Sequence, residues 1–132
     1  MTYLLDTHIL VWWFEDQGRL SKAQDVILRK ARVNRSPLLV ANISLWEVAT
    51  LAMLGRLRLE RPLRDWLECA TAPPLVRRCP VTPAIAAQVA SLPESFHRDP
   101  ADRLIVSTAI LEGATLLTSD QRIINSRVVT TI

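Results

Sequence analysis

Short apolar runs alternate along this chain with longer segments of helical spacing, and few folds are compatible with such a pattern. The apolar runs predict β-strands, at Tyr3–Leu5, Pro37–Ala41, Arg78–Val81, Thr115–Thr118 and Val128–Ile132. The segments between them predict helices, at Thr7–Phe14, Ser21–Asn34, Ser44–Leu54, Leu63–Ala72, Pro83–Ser91 and Pro100–Glu112. Strands that are apolar on both sides are usually covered by helices on both faces. The pattern therefore predicts an α/β fold with a mostly parallel central sheet.

Several helix boundaries are marked by local residues. Ser44 and Glu47 have the spacing of a capping box. An N-cap residue followed by proline predicts two further helix starts, at Thr82-Pro83 and Asp99-Pro100. Gly55 and Gly113 lie where C-terminal caps are expected.

The length and composition predict a single globular domain over residues 1–132. Apolar residues make up 49% of the chain, and the longest apolar stretches are shorter than the roughly 18 residues needed to span a bilayer. The N-terminal residues lack the basic region of a secretory signal, so a cytoplasmic protein is expected. Cys69 and Cys79 are too far apart for a zinc ribbon or a redox pair, and we interpret both as reduced.

Four acidic residues follow predicted strands or begin predicted helices. Asp6 and Asp120 close strands, while Glu47 and Asp102 lie in the first turns of helices. The carboxyl ends of parallel strands collect functional groups at one edge of a sheet, so these four side chains are expected to converge. Each also has a local explanation, because an acid in these positions can cap a helix or stabilise its dipole.

A cluster of four carboxylates requires neutralisation. Two carboxylates about 4 Å apart repel by roughly 4 kcal/mol at an effective dielectric constant of about 20. Either some of the acids take up protons or hard cations bind, and oxygen ligands favour Mg²⁺, with Mn²⁺ as a substitute. Bound metal favours phosphodiester hydrolysis, whereas no Ser/His/Asp set or Gly-rich phosphate loop is visible.

The charge balance is consistent with a nucleic-acid substrate. The net charge is +3, from 16 basic and 13 acidic residues, and the sequence pI is about 9.4. With four acids assigned to a metal pocket, the remaining surface is clearly basic, which is typical of proteins that bind nucleic acid.

Four motifs in order resemble those of the PIN-domain ribonucleases, and within them the VapC-type toxins of type II toxin-antitoxin systems. The motifs are Leu5-Asp6-Thr7-His8, Ser44-Leu45-Trp46-Glu47-Val48-Ala49, His97-Arg98-Asp99-Pro100-Ala101-Asp102-Arg103-Leu104 and Leu117-Thr118-Ser119-Asp120. The resemblance covers nearly the whole chain. It implies a PIN-like three-layer α/β/α fold and endonucleolytic cleavage of RNA by a metal-dependent enzyme.

The same resemblance assigns roles to individual residues. Asp6, Glu47, Asp102 and Asp120 would be the catalytic and metal-binding acids. Asp99 matches a further acid of this subgroup, although its place before Pro100 favours N-capping over coordination.

Residues beside these acids would support them. The hydroxyl groups of Thr7, Thr118 and Ser119 would orient carboxylates or bound water. Arg103 would pair with the acids or contact a phosphate, unless it is simply a solvated helix residue. His8 fits the motif as a packing or hydrogen-bonding residue.

The resemblance also implies protein partners. A VapC-like chain would bind a cognate VapB-like antitoxin and form a homodimer. The aromatic residues Trp12, Trp13 and Phe14 of the first helix, together with Trp46 and Trp66, exceed what one helix face needs. Core packing explains most of this aromatic surface, and the surplus would serve such an interface.

Two other functions fit parts of the pattern. A phosphoacceptor receiver domain has a similar length and an acidic Mg²⁺ pocket, but it requires a lysine late in the chain, and both lysines here precede residue 31. A PIN-like module that binds RNA or protein without turnover would keep the same acids. Cleavage assays distinguish that module from an enzyme.

Overall fold

Four parallel strands form the centre of the molecule. The computed structural model describes residues 1–132, with strands β1 (Tyr3–Leu5), β2 (Leu38–Ala41), β3 (Val76–Cys79) and β4 (Thr115–Leu117) in the order β3-β2-β1-β4. Leu4 of β1 pairs with Leu39 on one side and Leu116 on the other. The carboxyl ends of β1, β2 and β4 therefore lie side by side at one edge of the sheet.

Seven α-helices and one short 3-10 helix connect these strands. The helices are α1 (Thr7–Glu15), α2 (Lys22–Asn34), α3 (Asn42–Met53), α4 (Leu63–Ala70), α5 (Pro83–Ala90), α6 (Pro100–Glu112) and α7 (Gln121–Ser126), and the 3-10 helix is Gln17–Arg19. None of the helices is long and apolar enough to cross a membrane.

Neighbouring strand residues point to opposite faces of the sheet and enter two separate cores. Leu5, Val40 and Leu117 pack with Trp66 and residues of α1 and α2. Leu4, Leu39 and Leu116 pack on the other face with residues of α6, including Ile105 and Val106. Because successive side chains of a strand point to opposite faces of the sheet, a continuous apolar run contributes residues to both cores. The predicted three-layer α/β/α architecture is confirmed, with every strand pair parallel.

Two strand predictions were wrong in detail. The third strand occupies Val76–Cys79 instead of Arg78–Val81, with Val76 and Cys79 buried and the two arginines exposed. This edge strand has too little apolar sequence to mark its own register. The predicted strand Val128–Ile132 is reduced to one bridge between Thr131 and Leu116, although backbone hydrogen bonds join this segment to β4.

Local capping rules succeeded except at α3. The Thr82 and Asp99 side chains cap α5 and α6, and Gly113 ends α6 with a φ of 62°. The capping box expected at Ser44 was wrong, because α3 begins at Asn42 and Ser44 is fully buried within its first turns. The Ser44 hydroxyl instead forms a hydrogen bond with the Thr7 hydroxyl, with 2.9 Å between the two oxygens. α7 was not predicted at all.

Candidate metal centre

An open cleft of about 430 Å³ lies at the carboxyl edge of the sheet. Seven acids line it, and five of them come from four different parts of the chain around the predicted site, namely Asp6, Glu47, Asp99, Asp102 and Asp120. The structure therefore brings together the four acids expected to converge, along with Asp99. The cleft also extends beyond these acids, along one side of α1.

Asp6 is fixed by neutral donors. Its Oδ1 accepts a hydrogen bond from the backbone N–H of Thr7 at 2.8 Å, which caps α1, and its Oδ2 accepts one from Thr118 Oγ1 at 2.7 Å. The residue is only 3% exposed. Both carboxylate oxygens are thus oriented without any positive charge at hydrogen-bond distance. Asp6 can therefore cap α1 and still take part in the candidate metal centre.

Glu47 is held in the cleft by α1. Thr7 Oγ1 donates a hydrogen bond to Glu47 Oε1. Burial is the largest cause that raises the pKa of Glu47, and the negative charges of Asp102, Asp6 and Asp99 add to it. Against the lowering effect of the Thr7 hydrogen bond, the pKa reaches about 7. Without a bound cation, Glu47 therefore exchanges a proton near neutral pH.

Asp102 and Asp120 are instead surrounded by nitrogen groups. His97 Nε2 lies 2.6 Å from Asp102 Oδ2, and the Arg122 guanidinium lies 3.5 Å from Asp102 Oδ2 and 3.0 Å from Asp120 Oδ2. One ligand atom from each of His97, Asp102 and Asp120 can be chosen so that all three lie within 4.8 Å of one another. Asp6 and Glu47 border this group across the cleft.

The pKa values of these two aspartates move in opposite directions. Burial raises the pKa of Asp102, and the charges of Asp6 and Asp99 add to this effect, while the His97 hydrogen bond opposes it. Burial also acts to raise the pKa of Asp120, but the hydrogen bonds and charge of Arg122 outweigh it and lower the pKa overall. Of these two aspartates, Asp120 is therefore the one whose ionised form the chain itself supports.

Asp99 acts as a helix cap in this structure. Its Oδ1 accepts hydrogen bonds from the backbone N–H groups of Ala101 at 2.9 Å and Asp102 at 3.3 Å. One oxygen is thereby used by the backbone, and the side chain borders the cleft.

The predicted supporting residues make specific contacts. Thr118 Oγ1 accepts a hydrogen bond from the Asp120 backbone N–H at 3.0 Å while donating to Asp6, so one hydroxyl links two acids. Ser119 contributes its backbone N–H, which donates to His8 Nε2 at 2.9 Å. Because Nε2 accepts, the His8 ring proton lies on Nδ1, 3.6 Å from Asp6 Oδ2.

Arg103 does not reach the acids. Its guanidinium donates hydrogen bonds to the backbone carbonyls of Phe96 at 2.7 Å and His97 at 3.0 Å, and it lies over the Phe96 ring. The expectation that Arg103 pairs with the acids was therefore wrong, as was the simply solvated alternative, while a contact with a phosphate stays a prediction. It secures the loop that carries His97 instead.

Sequence reasoning missed His97 and Arg122 as members of the cluster. His97 was part of a quoted motif, but no local rule brings a residue in an irregular loop to a carboxylate five positions later. Arg122 lies in the first turn of α7. That helix has a detectable start, because Asp120 is an N-cap residue whose side chain accepts from the Arg122 N–H.

The donor set suits a divalent cation. Carboxylate oxygens from Asp6, Asp102, Asp120 and Glu47 are hard ligands that favour Mg²⁺, and an imidazole beside them also accommodates Mn²⁺. Two of the acids are nearly buried, with Asp6 3% and Asp102 7% exposed. A buried group of like charges in this arrangement is stabilised by a cation.

Two comparisons with known proteins each cover nearly the whole chain. The family model for the PIN domain matches residues 3–127 of the chain. The chain is 41% identical over 126 residues to ribonuclease VapC22 of Mycobacterium tuberculosis (strain ATCC 25618 / H37Rv), an alignment that covers 96% of this chain and 92% of that protein.

Solved structures share the fold at low sequence identity. VapBC2 from Rickettsia felis, bound to a DNA fragment from its promoter, matches with a TM-score of 0.74 and 18% identity, covering 100% of this chain and 98% of that chain. FitAB bound to the IR36 DNA fragment matches with a TM-score of 0.69 and 18% identity, covering 99% and 94%. A toxin-antitoxin complex from Klebsiella pneumoniae matches with a TM-score of 0.55 and 20% identity, covering 91% and 88%.

Proposed function

Since the chain belongs to the PIN-domain family, we propose that it is a Mg²⁺-dependent endoribonuclease and the toxin of a toxin-antitoxin pair. The observation that carries this proposal is the convergence of Asp6, Glu47, Asp102 and Asp120 in one open cleft. The 41% identity to a protein named as a ribonuclease supports the reaction class.

The acids would have different roles in phosphodiester hydrolysis. A divalent cation held by Asp6, Asp102 and Asp120, with Glu47 contributing to a second ion, would stabilise charge on the attacked phosphate and lower the pKa of a bound water. Mn²⁺ is expected to substitute for Mg²⁺. Thr118 and the Thr7 backbone N–H hold both Asp6 oxygens in fixed directions, so little reorganisation is needed when the cation binds.

Glu47 is suited to accept a proton. In the metal-free chain its pKa of about 7 lets it exchange protons at neutral pH, and Thr7 fixes the carboxylate through one oxygen while the other stays available. In this mechanism, Glu47 either holds the second ion or takes the proton of the attacking water. The hydroxide displaces the 3′ oxygen in line and leaves a 5′ phosphate.

Protein partners are proposed from the similar complexes and from an exposed apolar surface. Two of the similar structures are named as VapBC or toxin-antitoxin assemblies, which supports a VapB-like antitoxin as partner. The apolar surplus lies on α3 and its C-terminal end, where Trp46 is 59%, Met53 77% and Leu54 55% exposed, whereas Trp13 of α1 is buried. We place the antitoxin contact or a homodimer there, and light scattering of the purified chain tests the dimer.

The central test compares RNA cleavage by the native chain and Asp6→Asn. We expect the native chain to cut RNA in Mg²⁺ and to stop in EDTA, and Asp6→Asn to be at least about a hundredfold slower, because it removes a charged ligand and retains the shape. Asp65→Asn is a matched control, since Asp65 is an exposed acid of α4 outside the cleft.

The opposite results would reject the enzyme. Equal cleavage by both chains, or cleavage that survives EDTA, would remove the metal mechanism. RNA binding without any cleavage by the native chain would favour the non-catalytic PIN-like module.

A further inference from the structure

The cleft does not end at the acids but continues along α1 and the 3-10 helix. The contacts follow one line away from Asp6. His8 Nδ1 lies 3.6 Å from Asp6 Oδ2, the His8 and Trp12 rings have their centroids 4.9 Å apart, and the Arg19 guanidinium carbon lies 4.7 Å from the Trp12 ring centroid. His8 and Trp12 are four residues apart on one helix, so they share a face. Arg19 is thus connected to the acid cluster by an unbroken series of contacts.

Arg19 forms no salt bridge in the part of the cleft that follows α1. Glu15 and Asp16 also line the cleft, but no carboxylate oxygen lies within 4.0 Å of the Arg19 guanidinium, and Glu15 Oε1 accepts a hydrogen bond from Trp66 Nε1. The guanidinium lies over the Trp12 ring and donates no hydrogen bond within the chain, so its N–H groups are available to a ligand. An arginine ordered in this way loses little side-chain freedom when it binds an anion.

The cleft also carries positive charge. Arg19 and Arg56 both line it, and Arg19 is connected to Asp6 only through Trp12 and His8. An RNA strand carries a negative charge at every nucleotide. When the phosphate to be cleaved lies at the acids, the next phosphate of the strand therefore lies some distance away from them. A cation within the same cleft complements that second phosphate.

We propose that Arg19, laid over Trp12, binds the backbone phosphate of the RNA strand that neighbours the cleaved phosphate. This role rests on the proposed ribonuclease function and adds a positioning residue to it. Arg19 acts on the strand rather than on the reacting atoms. It favours no base sequence by itself, because phosphate contacts position the strand while base contacts specify it.

The chain supplies a matched control for this proposal. Arg32 of α2 also lies over a tryptophan ring, with its guanidinium carbon 5.6 Å from the centroid of Trp13. Arg32 borders a different, smaller cavity together with Gln17, Asp25 and Leu28. Arg19→Gln and Arg32→Gln therefore remove the same kind of contact, but only the first changes the cleft.

The experiment measures binding of labelled single-stranded RNA in the Asp6→Asn background by fluorescence anisotropy, at several salt concentrations. Arg19→Gln is expected to weaken binding about tenfold at low salt and to reduce the slope of log K against log salt by about 0.7, the value for one phosphate contact on a single strand. Arg19→Lys should keep the slope, and Arg32→Gln should keep both slope and affinity. Thermal unfolding shows that each variant is folded.

Two results would overturn the proposal. One is an unchanged salt slope in Arg19→Gln, and the other is an equal loss of RNA affinity in Arg32→Gln. Neither depends on turnover, because binding is measured in a background designed not to cleave. If the proposed ribonuclease function is wrong, the native chain will not cleave RNA. That result is independent of the binding measurement.

Discussion

The acid cluster has two halves that hold their carboxylates in different ways. We call Asp6 and Glu47 the hydroxyl-held pair, because Thr118 and Thr7 donate their hydroxyl protons to them. We call Asp102 and Asp120 the nitrogen-held pair, because His97 and Arg122 contact them. Neutral donors orient the first pair without cancelling its charge, whereas Arg122 supplies charge to the second.

Because their donors differ, we assign separate roles to the two halves of the acid cluster. A hydroxyl group fixes the direction of an oxygen and leaves its charge for a cation or a proton. Burial raises the Glu47 pKa to about 7 even though the Thr7 hydrogen bond lowers it. Arg122 lowers the pKa of Asp120 and contacts the carboxylates of both Asp102 and Asp120. Under the proposed function, a metal ion on that side would compete with this guanidinium. Three substitutions test this division, from the largest expected effect to the smallest.

Thr118→Val is expected to have the largest effect, because it removes the hydroxyl that joins the two halves. The substitution leaves Asp6 Oδ2 and the Asp120 N–H without their partner, at a residue only 2% exposed. We expect a loss of about 1–3 kcal/mol in the free energy of unfolding and a fall of about tenfold or more in kcat for RNA cleavage. Chemical denaturation and single-turnover cleavage measure the two effects.

Thr108→Val is the control for Thr118→Val. Thr108 is equally buried, but its hydroxyl donates to the Leu104 carbonyl within α6. Thr108→Val should lower stability without a comparable loss of kcat, and Thr118→Ser should restore most of the activity. Normal cleavage by Thr118→Val would show that the halves do not need this link.

Glu47→Gln tests the proton-exchanging character of the hydroxyl-held pair through the pH dependence of stability. The folded-state pKa of about 7 exceeds the ordinary value of 4.5. Between these pH values folded Glu47 keeps a proton that the unfolded chain has released, so the free energy of unfolding falls as pH rises through this window. In metal-free protein we expect the Tm to decrease by about 5 °C or less between pH 5 and pH 8.

The Gln variant should show a weaker decrease, since only Asp102, whose pKa is also raised, still contributes in that direction. Adding Mg²⁺ to the native chain should oppose the decrease, because metal binds the deprotonated acids. Thermal unfolding in EDTA and in Mg²⁺ measures both. Identical pH profiles for the native chain and Glu47→Gln would contradict the assigned proton exchange.

Arg122→Gln is expected to have the smallest effect and concerns the nitrogen-held pair. Removing the guanidinium frees Asp102 and Asp120 for a metal ion, but its side chain is 61% exposed and the surrounding water screens the contact. We expect Mn²⁺ to bind up to about fivefold more tightly, as measured by titration calorimetry.

Arg77→Gln is the control for Arg122→Gln. Arg77 is similarly exposed and pairs with Glu112 at 2.9 Å, away from the cleft. This substitution should leave Mn²⁺ affinity unchanged. If Arg122→Gln binds Mn²⁺ no better than the native chain, then Arg122 does not compete with the metal.

The sequence by itself determined the architecture and the positions of the acids along the chain. Apolar runs such as Leu4-Leu5 and Leu116-Leu117 specify parallel strands covered on both faces, because each residue of the run must enter one of two cores. The placement of Asp6 and Asp120 directly after strands follows from the same pattern. These signals are local and can be read over a few residues.

Only the tertiary structure decided which groups contact each acid. Thr7 meets Glu47 across 40 positions, and Thr118 meets Asp6 across 112. Such pairs form because strands and helices that are distant in the chain pack side by side, and no local pattern encodes that packing.

The same reason explains the errors at the site. Arg103 follows Asp102 directly, yet a helix turns the next residue about 100° away, so its guanidinium meets the Phe96 and His97 carbonyls instead of the acids. Arg122 reaches Asp102 because α7 begins beside α6 at the edge of the sheet. Neighbouring residues in the sequence define the motifs. The packing of whole helices and strands determines which side chains contact the residues of each motif.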